Sequence, residues 1–142
     1  MISLHKGVAH PWNCDVLGHM TTRFYVAMFD DASYHFLHEV FGWNGNQSAD
    51  GKFAVVDVRH KIDYLTEVAA GDLLEVSAQL SKIGTKSFTV NYEMINRNSG
   101  EVAARLESTA VLFDTQLRKG VVIPDDLRDR AEGFLLPSDQ SE

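Results

Sequence analysis

One carboxylate, Asp15, stands a few residues ahead of a helix start in the stretch His10-Pro11-Trp12-Asn13-Cys14-Asp15-Val16-Leu17-Gly18-His19-Met20-Thr21-Thr22-Arg23-Phe24-Tyr25. Gly18 lets the backbone turn sharply between the two. A helix N-terminus offers unpaired N–H groups and a partial positive charge, so it can polarise a carbonyl or hold an oxyanion. The carboxylate can supply attack or proton transfer at the same centre. The competing use of Asp15 is structural: a loop aspartate that bonds the Gly18 turn or caps the helix. His19 can orient Asp15, touch a substrate or pack over the helix start. Asn13 can position water, although an Asx-turn is its expected role.

Other constellations carry less. Cys14 lies beside Asp15 with two histidines close in sequence, but the side chains of extended neighbours diverge, which disfavours a cysteine nucleophile. His35, His38 and Glu39 share a helix, yet their order is not that of a helical zinc motif, so no metal site is expected. Neither a Gly-x-Ser-x-Gly elbow nor a glycine-rich phosphate loop is present.

The elements that must position these residues follow from hydrophobic periodicity. Ile2 to Ala9 alternates weakly and ends before Pro11, predicting a short first strand. From Arg23 to Phe41, Tyr25, Met28, Phe29, Ala32, Phe36 and Val40 fall at helical spacing and Gly42 is a stop, with Thr21 or Thr22 as N-cap. That helix measures about 28 Å. Val26, Ala27, Leu37 and Phe41 make it apolar on most sides, so it needs a wrapper, and a curved sheet is the obvious one.

Trp43 to Lys52 reads as a loop, after which the period switches to two. Phe53 to Leu65 alternates, with Val56, Val58, His60, Ile62 and Tyr64 on one face and Val55, Asp57, Arg59, Lys61 and Asp63 on the other. Leu73 to Ile83, Ser87 to Asn96 and Val102 to Asp114 follow after short turns, and the four strands together predict an antiparallel meander. A short helix is expected over Ile123 to Ala131, and fraying beyond Pro137. The fold class is α+β: one domain over 1–137 with a frayed tail over 138–142.

The 142 residues are 44% apolar and 23% charged, an ordinary globular composition. A net charge of −7 with scattered Lys and Arg argues against nucleic acid or an anionic membrane as partner. A single cysteine suits a reducing compartment. The N-terminus has no apolar leader run and no segment approaches the roughly 20 apolar residues needed to cross a bilayer, so a soluble cytoplasmic protein is expected.

The order strand, long helix and strands, together with Asp15-Val16-Leu17-Gly18-His19-Met20, resembles the hotdog-fold acyl-CoA thioesterases of the 4-hydroxybenzoyl-CoA thioesterase type. Val58-Arg59-His60-Lys61-Ile62-Asp63-Tyr64-Leu65 through Ala70-Gly71-Asp72 is similar to that family's second strand and the turn into its third. Gly100-Glu101-Val102-Ala103-Ala104 through Asp114 is similar to its last long strand. The resemblance covers nearly the whole chain. One departure is Met20-Thr21-Thr22, where many relatives have Asn after the Gly-His pair, so the polar contacts of the first turn are not carried over.

The resemblance implies a sheet wrapped round the central helix and pairing of protomers, as a homodimer or dimer of dimers, with sites at the interface. It implies an acyl-CoA substrate with no cofactor, CoA being part of the substrate. The catalytic carboxylate maps onto Asp15, as nucleophile or general base, and the oxyanion-binding amide onto Thr22 or Arg23. His19 joins the catalytic set. Asn13, Trp12, Arg23 and Tyr25 are expected near substrate, with Trp12, Phe24, Tyr25, Met28 and Phe29 as candidate acyl-pocket lining near the helix start. Arg59 and Lys61 are the first cations to consider for CoA phosphates, ahead of Lys82, Lys86, Arg97 and Arg118. Two alternatives share the scaffold: a non-catalytic acyl-CoA or acyl-carrier binding module, and a hydratase or dehydratase using an Asp-His or His-Glu pair.

Overall fold

Apolar side chains at Tyr25, Met28, Phe29, Ala32, Phe36 and Val40 recur in steps of three and four, and helix α1 (Thr22–Phe41) buries them all. The computed structural model describes residues 1–43 and 53–135. The expected loop over 44–52 and the expected fraying past Pro137 lie outside the described residues. α1 ends at Gly42, whose φ of 68° is the left-handed conformation that a Cβ disfavours. The Gly42 N–H donates to the His38 carbonyl and the Trp43 N–H to that of Leu37, pairing two last-turn acceptors.

The strands are β1 (Ile2–Val8), β2 (Phe53–Tyr64), β3 (Leu73–Ile83), β4 (Ser87–Asn96), β5 (Val102–Asp114) and the short β6 (Lys119–Gly120), followed by helix α2 (Asp125–Glu132). Pro124 precedes α2 as its N-cap, and Asp125 and Asp126 occupy its first turn. Every expected element is present with ends shifted by a few residues at most.

Strand order corrects the expected four-strand meander. The sheet runs β1-β3-β4-β5-β2, so only β3, β4 and β5 form a meander. β2 pairs with β5 at one edge and β1 takes the free edge of β3 at the other. Local turn signals identify where strands end but not which edge a strand joins. The segment from Leu65 to Asp72 therefore crosses from the β2 edge of the sheet to β3 on its far side.

Register also corrects the expected faces of β2. Asp57 pairs with Ala110 and Arg59 with Thr109, which leaves Val58 as a bulge. Directly opposed residues share a face, so Val55 and Asp57, opposite buried Leu112 and Ala110, point inward with His60, Ile62 and Tyr64. Val56 and Val58 point away from the helix. Register shifts also occur around Leu4 in β1, Ser81 in β3 and between Met94 and Ile95 in β4. Each increases local twist, and together they curl the sheet round α1. This is the α+β hotdog arrangement that the resemblance implies.

The inner face of the meander supplies Phe88, Val90, Tyr92, Met94, Leu106 and Leu112 to the core. The Phe36 ring stands 6.5 Å from Phe88 and 6.2 Å from Tyr92, and Phe41 lies 5.0 Å from Phe88. At Gly7, β1 approaches α1 so closely that a Cβ would lie 3.0 Å from Met28 Sδ. α1 touches β1, β3 and α2, whereas its side toward β2 is open, with Val26 and Ala27 exposed.

Asp72 ties the crossover to the β4–β5 turn. Its Oδ2 accepts the Ala69 N–H and the Asn96 side-chain N–H, each at 2.9 Å, and its Oδ1 accepts from Asn98 at 3.3 Å. Asn96 is buried. Asp72→Ala leaves that amide unpaired, and urea unfolding is expected to show a loss of about 2 kcal/mol.

Burial pushes the phenol of Tyr92 above the ordinary tyrosine range, and the carboxylates of Asp57 and Asp30 push it further. Burial raises Tyr25 as well, opposed by the Val68 backbone N–H. Folded chains thus retain protons that unfolded chains lose near pH 10, so stability is full below that pH and falls as pH rises beyond it. Tyr92→Phe is expected to flatten that alkaline decline in urea titrations between about pH 8 and about pH 11.

Candidate active site

Pro11 opens a single 3-10 turn over Pro11–Asn13, closed by the His10 N–H donating to Asn13 Oδ1 at 2.9 Å. Asn13 is therefore used in the turn, as the sequence suggests. Cys14 and Met20 then pair as an antiparallel bridge, and the chain between them reverses at Gly18, whose φ is 79°. Asp15 sits at the neck of this small loop. Its N–H donates to the His19 carbonyl at 2.9 Å and its carbonyl accepts the Gly18 N–H at 3.0 Å. Carboxylate Oδ1 accepts the Leu17 N–H at 2.9 Å and the His19 N–H at 3.3 Å. Oδ2 has no partner among the described residues, and the side chain is exposed.

The crossover from Leu65 to Asp72 is laid against this loop by backbone bonds. The Met20 N–H donates to Val68 O at 2.7 Å, Ala70 N–H to Gly18 O at 3.4 Å and Gly71 N–H to Ala9 O at 2.7 Å. Between loop, crossover and the first turn of α1 lies an open cavity of about 260 Å³, whose wall includes His19, Thr22, Tyr25, Tyr64 and Glu67. His19 Nε2 is 3.2 Å from Glu67 Oε2, which leaves Nδ1 as the other ring nitrogen available to a ligand. The Tyr25 hydroxyl donates to the Thr66 carbonyl at 3.5 Å, and its ring meets Tyr64 edge-on at 5.1 Å.

The helix start carries free donors. Thr21 is the N-cap by backbone geometry, but its hydroxyl makes no bond to the first turn and is buried without a partner. The Phe24 N–H is taken by the Thr21 carbonyl at 3.0 Å. Thr22 and Arg23, the first two helical residues, have no acceptor for their N–H groups within the helix. The dipole of α1 adds positive potential at the same place.

Of the residues singled out from sequence, His19, Thr22 and Tyr25 meet in this cavity. Asp15 does not line it, and is joined to it through the His19 N–H. Trp12 is exposed and stacks on His10 at 4.3 Å. Arg23 lies over the Phe24 ring at 4.8 Å. Arg59 and Lys61 stand elsewhere: beyond the Val58 bulge they project from the outer face of β2, opposite Thr109 and Glu107. Lys61 belongs to a groove on that face with Glu93, Arg105 and Glu107. Cys14 Sγ donates to the His10 carbonyl at 3.4 Å, a structural contact. Tyr64 and Glu67 were not foreseen at this site: the alternation of β2 gives Tyr64 a face but not its neighbours across the fold, and Glu67 lies on the crossover, where no periodic signal marks it.

Among the described residues no cluster of three His, Cys, Asp or Glu side chains could hold a metal ion, and no helix is long and apolar enough to cross a membrane.

Known proteins resemble this chain in sequence and in fold. The chain is 23% identical over 121 residues to the long-chain acyl-CoA thioesterase FadM of Escherichia coli (strain K12), covering 85% of this chain and 90% of that one. A Staphylococcus aureus protein solved in complex with CoA superposes with a TM-score of 0.85 at 17% identity, covering 94% of this chain and 85% of that one. A 1,4-dihydroxy-2-naphthoyl-CoA thioesterase from Synechocystis superposes with a TM-score of 0.79 at 20% identity, covering 97% and 96%. Residues 9–131, from the loop before Asp15 to the end of α2, match the model of the thioesterase-like superfamily, and the chain belongs to that family.

Proposed function

We propose that this protein hydrolyses an acyl-CoA thioester to the free acid and CoA, using Asp15 and the N-terminus of α1. The observation that supports the proposal is a carboxylate with one oxygen free among the described residues, Oδ2 of Asp15, in the loop that leads into a helix start whose Thr22 and Arg23 N–H groups have no acceptor within the helix. The loop amides of Leu17 and His19 hold Oδ1, so the carboxylate is fixed in place while its second oxygen is free to act. Attack by Oδ2 on the thioester carbon gives a mixed anhydride and a thiolate; as general base it instead takes a proton from the attacking water. In either route the carbonyl oxygen becomes negative and accepts from the helix amides, each such donor contributing about 3 kcal/mol. The CoA thiolate is a good leaving group, so no dedicated general acid is needed.

Tyr25 and Tyr64 offer an aromatic wall beside the helix start. Arg59 and Lys61 remain the proposed contacts for CoA phosphates, reached across the edge of β2 and not from the helix-start cavity. That edge is the proposed self-association surface. β2 has β5 on one side only, and Val56, Val58, Tyr64 and Leu65 are exposed on or beside it. A long apolar edge strand needs a cover, and a second copy pairing through β2 supplies one.

The His19–Glu67 pair favours a second reading, hydration of a 2-enoyl thioester with the pair moving a proton at carbon. The two are separable by substrate. Hydrolysis predicts CoA release from a panel of saturated acyl-CoAs, and absence of CoA release from every ester defeats it. Asp15→Asn keeps an oxygen for the Leu17 and His19 amides, so the fold is expected to persist while kcat falls by about a hundredfold or more. A binding module would be indifferent to that change, whereas a hydratase would respond to Glu67→Gln instead.

Sedimentation equilibrium is expected to show a dimer or dimer of dimers. Replacing Val56 and Val58 together by Lys is expected to shift it to monomer with loss of turnover; a wild-type monomer that is fully active would exclude the β2 interface.

A further inference from the structure

A further opening in the protomer lies away from the helix start. It encloses about 320 Å³ between the middle of α1 and strands β2, β4 and β5, within the size range of small-molecule sites. Tyr34, Phe36 and Trp43 contribute rings to its wall, and Asp30 and Asp57 contribute the only charged side chains among its described lining residues. Asp57 points inward because of the Val58 bulge. His60 stands behind it, with Nε2 3.5 Å from Asp57 Oδ2.

Two hydroxyls at this cavity lack partners. Tyr92 is 3% exposed and Ser108 6% exposed, and among the described residues neither hydroxyl has a hydrogen-bond partner. Neither oxygen is sealed off completely, so the cavity supplies their access. The charges of Asp57 and Asp30 are felt at the Tyr92 phenol, which puts both carboxylates within electrostatic reach of the same space.

These features select among ligands. A plain hydrocarbon would leave the two hydroxyls unpaired and desolvate both carboxylates. An anion would face two carboxylates, with no basic side chain among the described residues that line the cavity. A cation is attracted by the carboxylates, by the hydroxyl oxygens and by the faces of the rings. We propose that this cavity binds an organic ammonium group, held by Asp30 and Asp57 and enclosed by the aromatic wall. The ammonium has two possible sources, the acyl tail of a thioester or a free amine. The site itself does not rest on the hydrolase assignment.

Calorimetric titration of the full chain with choline and with its neutral isostere 3,3-dimethylbutan-1-ol tests the charge requirement directly. Choline is expected to bind at least about tenfold more tightly, with binding weakened by salt. Asp30→Asn and Asp57→Asn are each expected to weaken choline about tenfold, in variants whose urea midpoints confirm folding; Tyr92→Phe serves if either fails to fold. Equal binding of the alcohol, or no choline binding at about 10 mM, overturns the site. A trimethylammonio-acyl-CoA and its tert-butyl isostere then distinguish the sources. Faster turnover of the charged ester assigns the ammonium to the acyl tail, and equal turnover with choline binding retained assigns it to a free amine. If neither ester releases CoA, the hydrolase assignment fails while the choline titration still decides the cavity.

Discussion

Buried backbone groups must be paired, and that requirement shapes the candidate site more than any side chain does. The Leu65–Asp72 crossover leaves the sheet after two bonds to Ala103 of β5, so its remaining amides and carbonyls find partners in Ala9, Gly18 and Met20. The loop around Asp15 likewise has no sheet to join and uses the crossover as its partner. Each irregular segment satisfies the other, and the helix start is enclosed between them. The cavity beside Thr22 is the space left by this mutual pairing.

Carboxylates in the two segments meet different constraints. Asp15 has one oxygen committed to amides of its own loop and one free, whereas Asp72 uses both oxygens to hold turns together. Glu67 is exposed and paired with His19. An aspartate with all its acceptors engaged is a staple, while one held on a single side is positioned and still able to react. That difference in hydrogen bonding separates Asp15 from Asp72, since both stand in tight turns beside a glycine.

The bulge at Val58 has consequences in both directions across β2. Before it, Val55 and Asp57 face the helix; beyond it, Arg59 and Lys61 face out while His60, Ile62 and Tyr64 face in. One inserted residue thus puts a carboxylate into the space under α1 and turns two cations to the far side of the sheet. α1 covers β1 and β3 closely but stands clear of β2, which is why the aromatic-walled cavity opens there.

Local physics was enough for much of this. Helical spacing from Tyr25 to Val40, the Gly42 stop and four alternating segments specify the elements to within a few residues, because burial on one face imposes its period on the sequence. The Asp15–Gly18–His19 spacing likewise marks the loop before the helix, since only a tight turn uses those residues so. What the chain could not reveal by itself is which edge β2 joins, where its alternation breaks, and that Tyr64 and Glu67 come to stand beside His19. Those outcomes depend on pairing between residues far apart in sequence, and such pairing leaves no local period to read.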